Sequence, residues 1–343
     1  NLQPVADATT WKSADFPDDR SWVRALDPQM LAELENAGRQ LLQAATDMPD
    51  IDAAMFPLPK TDALLGASYS DVESGPGFSM LSGLPVDDWG LALTRAVLCI
   101  VGTRYGNITK QNREGDYQLD VINKDVSHGT QNRGYHSNTF LDFHNDGANT
   151  VALLCMETAA EGGESILVSA TTVYNEILKL RPDLLPPLIK GYYHHRRNQR
   201  APEDPPIMPH RTPVFCWIGG VFHCCYSRIS IDSSKDEGLV FSPVEEEALD
   251  FLDAQLQRPE LQVRMHLRKG DVQLVNNFVA LHSRTSFIDR PGHPRHLLRL
   301  WLDDPRSRFN GPNKMDFYLP EESRFMKTIG YEALTAADSV LAG

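Results

Sequence analysis

The chain has 343 residues, with 33 Lys and Arg against 46 Asp and Glu and a formal net charge of −13 at pH 7. Its 41% hydrophobic and 23% charged residues exclude wholesale disorder, and the length is enough to bury a real core. The acidic balance argues against nucleic acid or an anionic membrane as a general partner, and the longest apolar runs, 96–101 and 151–156, are six residues each, far short of the roughly 20 that span a bilayer.

In chain order, residues 1–19 carry four acidic groups and no apolar stretch, so no secretory signal is expected. Residues 27–47 read as an amphipathic helix and 86–101 as a second, more buried one. Strands are expected at 150–156 and 165–168, then a helix over 169–180 that Arg181-Pro182 ends. The stretch 190–215 is polar and rich in proline, too long for a tight connection, and reads as a surface excursion or a lid. Beyond a strand at 213–218, Ser242-Pro-Val-Glu245 combines a cap, a first-turn proline and a capping-box glutamate at the start of a further helix. Strands at 262–267, 272–276 and 295–302 follow.

Many short strands broken by Gly, Pro and Asn, with helices outside them, point to a mainly β fold of sandwich or jelly-roll type. A doubly wound nucleotide-binding sheet is excluded: Gly75-Pro76-Gly77 does not fit GxGxxG, and no Walker loop is present. Five cysteines, Cys99, Cys155, Cys216, Cys224 and Cys225, an odd number without CxxC spacing, suggest reduced thiols and a cytoplasmic protein.

Chemistry concentrates at three places. In an extended Phe143-His144-Asn145-Asp146, His144 and Asp146 point the same way, two parts of a metal-binding face. Glu161-Gly-Gly-Glu-Ser165 follows, and much later comes His282 at the end of a strand-loop stretch. In 295–302 (RHLLRLWL), Arg295, Leu297, Arg299 and Trp301 share one face while His296, Leu298, Leu300 and Leu302 share the other. Two arginines on an otherwise apolar strand call for an anion, either internal carboxylates or a bound one.

In this order (HxD, Gly-Gly-acid-hydroxyl, distal His, RxxxR) the segment 135–302 resembles the iron(II)- and 2-oxoglutarate-dependent dioxygenases of the taurine dioxygenase and clavaminate synthase-like superfamily. The resemblance implies a double-stranded β-helix (jelly roll, cupin-like) with flanking helices, one domain over 1–343: a helical part to about 105, the core over about 106–310 with the insert at about 190–215, and an extension from about 311. It also implies iron(II) on His144, Asp146 and His282, with 2-oxoglutarate and O2 as cosubstrates. Arg299 would pair with the distal carboxylate of 2-oxoglutarate, Ser165 would bond to the same end, and Arg295 would lie near the oxo-acid end. The family commonly has Thr where Ser165 stands. Asp146 points away from the related halogenases, which lack this carboxylate.

The implied reaction oxidises an unactivated C–H bond of a small organic metabolite, most simply by hydroxylation, and releases succinate and CO2. Desaturation, epoxidation or ring formation would use the same cofactors, in specialised metabolism. A non-catalytic 2-oxoglutarate-binding protein and a zinc hydrolase on the same ligands are the rivals. Tyr135, His136, Asn138, Arg228 and Arg284 are candidates for contact with a small-molecule substrate, and a homo-oligomer is compatible with the sequence. His194 and His195 read as surface or loop residues, and His223-Cys224-Cys225 as part of a strand with buried thiols, lacking the second half of a zinc site. His296 should pack or hydrogen-bond on the face away from Arg295.

Overall fold

The computed structural model describes residues 2–18, 20, 22–124 and 137–329. Among these, the main sheet runs β1 (Val23–Ala25), β2 (Phe78–Ser82), β12 (Val272–Asn276), β6 (Thr150–Glu157), β15 (His296–Asp303) and β3 (Asn107–Thr109), with β4 (Gln118–Ile122) also paired to β15. A smaller sheet runs β11 (Gln262–Met265), β8 (Ser165–Ser169), β13 (Ala280–Arg284) and β5 (Leu141–His144). Two ribbons pair β9 (Phe215–Ile218) with β10 (Val221–Cys224) and β7 (Glu161–Gly162) with β14 (Phe287–Ile288). Apart from the parallel β1–β2 pair, the main sheet is antiparallel, and so is the smaller one.

Side-chain alternation along these strands builds the layers. On β15, Leu298, Leu300 and Leu302 pack with Leu34, Leu93 and Val97 of the helices Pro28–Ala44 and Val86–Gly102, while Leu297 and Trp301 face the space between the sheets. Leu167, Val263 and Ala280 of the smaller sheet meet them there, with Phe78, Val151 and Val275 of the main one. The outward residues Ile166, Val168 and Leu281 pack on Val173, Ile177, Leu249 and Leu252 of the helices Ala170–Leu180 and Pro243–Leu256. Two facing sheets between outer helices are the jelly-roll arrangement the sequence suggests.

The local signals account for the helix starts. The Asp27 side chain accepts from the backbone N–H groups of Gln29 and Met30, that of Ser169 accepts from Thr172 N–H, and the Ser242–Glu245 capping box is formed. The helix Asp62–Glu73 was not anticipated, since its small and polar residues give little amphipathic contrast.

The stretch 190–215 departs from the sequence reading. It is not a polar surface excursion: His194, His195, Arg196, Arg197 and Gln199 are buried, and bridges Tyr192–Thr212 and His195–Ile207 draw it into a hairpin-like turn. His194 is fully enclosed with its ring stacked on Phe317, centroids 4.3 Å apart. The thiols of Cys224 and Cys225 are buried as expected, and His296 Nε2 lies 2.6 Å from Asp120 Oδ1 on the face away from Arg295. No helix among the described residues is long and apolar enough to cross a membrane.

Candidate active site

β5 and β13 are antiparallel neighbours with His144 directly opposite His282, so two residues far apart in sequence become a cross-strand pair with ring centroids 4.4 Å apart. Asp146 follows two residues after His144. Its Oδ1 lies 3.8 Å from His144 Nε2 and its Oδ2 lies 3.9 Å from His282 Nε2. One ligand atom from each of the three fits within 4.8 Å, the one such cluster of three or more His, Cys, Asp or Glu among the described residues.

The surroundings fix this geometry. Asn145, between the two ligands, donates from Nδ2 to Ala280 O (3.0 Å) and accepts at Oδ1 from Tyr226 N–H (2.9 Å), clamping the end of β5 to β13 and to the segment after β10. Asn277 Oδ1 accepts from the Asp146 N–H at 3.0 Å. His144 Nδ1 lies 2.7 Å from Asp142 O. A carbonyl only accepts, so Nδ1 carries the proton and Nε2 keeps its lone pair for a metal.

Burial would raise the Asp146 carboxyl, but the field of Arg299, with His282, Lys314 and His144, overrides it and holds the group well below the usual carboxylate range. Burial pushes His282 down to about 4 and depresses His144 strongly, with Lys314 adding to both. The donor set is therefore two neutral imidazoles and a carboxylate kept anionic. Two histidines and one carboxylate with positions left over suit non-haem Fe(II).

A cavity extends from this triad, lined by Ser165, Arg284, Arg295 and Arg299 with Val121, Leu141, Leu153, Leu267 and Leu297. The two strand arginines lie in it on one face as expected, with different surroundings. Arg299 is the one beside the triad: Nη1 lies 3.2 Å from Asp146 Oδ2 and Nε donates to Gln111 Oε1 at 2.7 Å. Arg295, about 13 Å back along the strand by its four-residue offset, packs beside the Phe287 ring and Gly163, and its neighbours are Arg284 and Asp289. Ser165 is buried in the cavity wall and its hydroxyl bonds with the Gln273 side chain.

Four substrate candidates are placed elsewhere or not described. Arg228 does not line this cavity, because Asp232, Asp250 and Asp253 take its guanidinium at 2.7–2.9 Å. Asn138 is exposed, and its carbonyl accepts from Phe287 N–H at 3.0 Å. Tyr135 and His136 lie outside the described residues. Conversely, sequence reasoning passed over Gln111, Asn277 and Lys314, whose Nζ is 4.0 Å from Asp146 Oδ1. Only the adjacent pair Asn276-Asn277 next to a strand could have drawn attention.

Fold and site together define an iron- and 2-oxoglutarate-dependent dioxygenase. The chain belongs to the Taurine catabolism dioxygenase TauD, TfdA family, whose profile matches residues 42–301. It is 32% identical over 316 residues to FR-33289 synthase of Streptomyces rubellomurinus (strain ATCC 31215), covering 89% of this chain and 92% of that protein. It is 26% identical to the taurine hydroxylase-like protein SAT17 of Stachybotrys chartarum (strain CBS 109288 / IBT 7711), over 87% of this chain and 80% of the other. The fold is shared with asparagine oxygenase, solved with Fe(II), 2S,3S-3-hydroxyasparagine and succinate (TM-score 0.66, 21% identity, 82% of this chain and 93% of the other). It is also shared with the non-haem iron oxygenase OrfP, solved with Fe and alpha-ketoglutaric acid (TM-score 0.60, 15% identity, 85% and 98%).

Proposed function

We propose that this enzyme hydroxylates an unactivated C–H bond of a small polar metabolite, with His144, Asp146 and His282 holding the iron. The observation that carries the reading is the enclosed two-histidine, one-carboxylate cluster opening on a cavity lined by arginines. Iron and 2-oxoglutarate supply the oxidising power, consuming O2 and leaving succinate and CO2. The protein's own residues position and insulate. Asp142 O sets the His144 tautomer, Arg299 and Trp301 keep Asp146 ionised and oriented, and the cavity's leucines limit water.

The same geometry supports exchanging the roles of the two arginines. Arg299 is engaged with a proposed metal ligand, so the distal carboxylate of 2-oxoglutarate is assigned to Arg295 and Ser165, at the end of the cavity where no acidic side chain pairs with Arg295 among the described residues. Amino acids are the first substrates to screen, since the asparagine oxygenase and OrfP structures hold hydroxylated asparagine and arginine.

The test is anaerobic titration of the Fe(II)-loaded protein with 2-oxoglutarate, followed by succinate release with candidate substrates. A weak visible charge-transfer band that is lost in His282→Ala is expected. A folded, iron-loaded protein without the band, or substrate turnover that needs neither O2 nor 2-oxoglutarate, defeats the reading and favours a zinc hydrolase. A band with no succinate release across substrates favours the non-catalytic binder.

A further inference from the structure

Arg284 is a buried cation close to the triad. It stands two residues beyond His282 on β13, on the same face, and its backbone partner across the sheet is Ser165 of β8. It is buried and lines the same cavity as Ser165 and Arg295. Its guanidinium carbon is 4.6 Å from the centroid of the Phe287 ring, and that of Arg295 is 5.1 Å from the same centroid. Two buried cations thus share one aromatic ring, which attracts each of them but does nothing for their mutual repulsion.

Among the described residues neither arginine has a carboxylate within ion-pairing distance. Asp289 is the acidic group both of them sense, and its Oδ1 is occupied by the Arg295 backbone N–H at 2.7 Å. Arg284 donates from Nη2 to Thr139 O, but its buried Nε has no partner among the described residues. Space for the pair comes from a glycine turn: Gly163 has φ +71°, and a Cβ there would come within 3.1 Å of Arg295 Nε. A buried guanidinium without a counter-ion is costly, and two side by side are more so, unless an anion joins them. A planar carboxylate can accept from two guanidinium edges at once.

We propose that Arg284 is a second anion-binding residue of the cosubstrate pocket, gripping with Arg295 and Ser165 the distal carboxylate of 2-oxoglutarate, so that the enzyme selects dicarboxylate over monocarboxylate 2-oxo acids through a two-guanidinium clamp. This rests on the dioxygenase reading above. The competing role, a prop for residues 137–140 through Thr139, predicts no such selectivity.

The test is calorimetric titration of the anaerobic Fe(II)-loaded protein with 2-oxoglutarate and, separately, 2-oxobutyrate, which keeps the oxo-acid end and lacks the distal carboxylate. In Arg284→Gln, 2-oxoglutarate should bind roughly tenfold to a hundredfold more weakly, the weight of a hydrogen bond to a charged group, while 2-oxobutyrate changes less than about threefold. Retained 2-oxobutyrate binding shows that the pocket is folded, and Arg284→Lys should recover part of the loss. Equal weakening of both ligands, or unchanged 2-oxoglutarate affinity, overturns the clamp. Wild-type protein that binds neither 2-oxo acid overturns the dioxygenase reading itself, a result separable from failure of the clamp alone.

Discussion

Arg299 of the main sheet donates to Asp146 at the end of the smaller one, Nη1 3.2 Å from Oδ2 across 153 residues of sequence. The bond ties the two halves of the jelly roll together at the metal-binding cluster. Trp301, two residues on and on the same face, donates from Nε1 to that same oxygen at 3.1 Å. Both donors converge on Oδ2, which sets the carboxylate's rotation and leaves Oδ1 facing His144.

Trp301→Phe keeps an aromatic ring and removes only one of these donors. Donors behind metal ligands are commonly worth tenfold to a hundredfold in affinity, so Fe(II) should bind roughly tenfold more weakly. Anaerobic competition against a chelator measures this. Unchanged affinity would mean that Arg299 alone fixes the carboxylate.

His194 sets an acid limit on stability. Burial, with Lys314 and His210 nearby, pushes its pKa down to about 3, and neither ring nitrogen has a hydrogen-bond partner among the described residues. The folded state therefore keeps it neutral while the unfolded chain takes up a proton below about pH 6.5. Stability from this residue is complete above that pH and declines as pH falls towards 3, by about 2 kcal/mol at pH 5. His194→Phe preserves the stack on Phe317 and strands no hydrogen bond, so urea melts at pH 7 and pH 5 should differ less in the variant than in the wild type. An identical acid loss in both would assign it to other groups, with His210 and His223, both pushed down to about 4, the next to examine.

Arg228 separates structure from catalysis. Its guanidinium holds together Asp232, Asp250 and Asp253 between the helices Arg228–Asp232 and Pro243–Leu256. Arg228→Gln leaves three carboxylates without their shared cation and should cost about 1–3 kcal/mol in denaturant unfolding. The 2-oxoglutarate affinity should stay within about twofold, because the residue does not line the cavity. A selective loss of turnover with stability intact would return Arg228 to the substrate side.

The triad and the strand faces were legible because each depends on local spacing. An HxD in extended chain puts two ligands on one face, and the period-two reading of 295–302 placed Arg295, Leu297, Arg299 and Trp301 together, as the structure has them. Contact order hid the rest. Gln111 meets Arg299 across 188 residues and Asn277 meets Asp146 across 131, pairings that only the completed sheets define. Alternation gives the face a side chain occupies and not how far along the cavity it lies from the metal ligands, so it leaves the roles of the two arginines open. The segment 190–215 misled through composition: its prolines and charges suggest surface, yet His194, Arg196 and Gln199 fold inward.

Gly147 couples the backbone after the ligands to Trp301. A Cβ at this position would lie 2.6 Å from Trp301 Cζ3, 2.7 Å from Cη2 and 3.1 Å from Met315 N. Trp301 is fully buried, so Gly147→Ala must push the indole away, at about 1–3 kcal/mol for the forced repacking, and weaken its bond to Asp146. Stability and Fe(II) affinity should fall together. Phenylalanine lacks the outer indole atoms that meet the new methyl, so Gly147→Ala with Trp301→Phe should be destabilised by less than the sum of the two single variants, and its Fe(II) affinity should match Trp301→Phe alone. Additive losses in the double variant would show that the methyl acts through Met315 and the backbone, and not through the ring that holds the carboxylate.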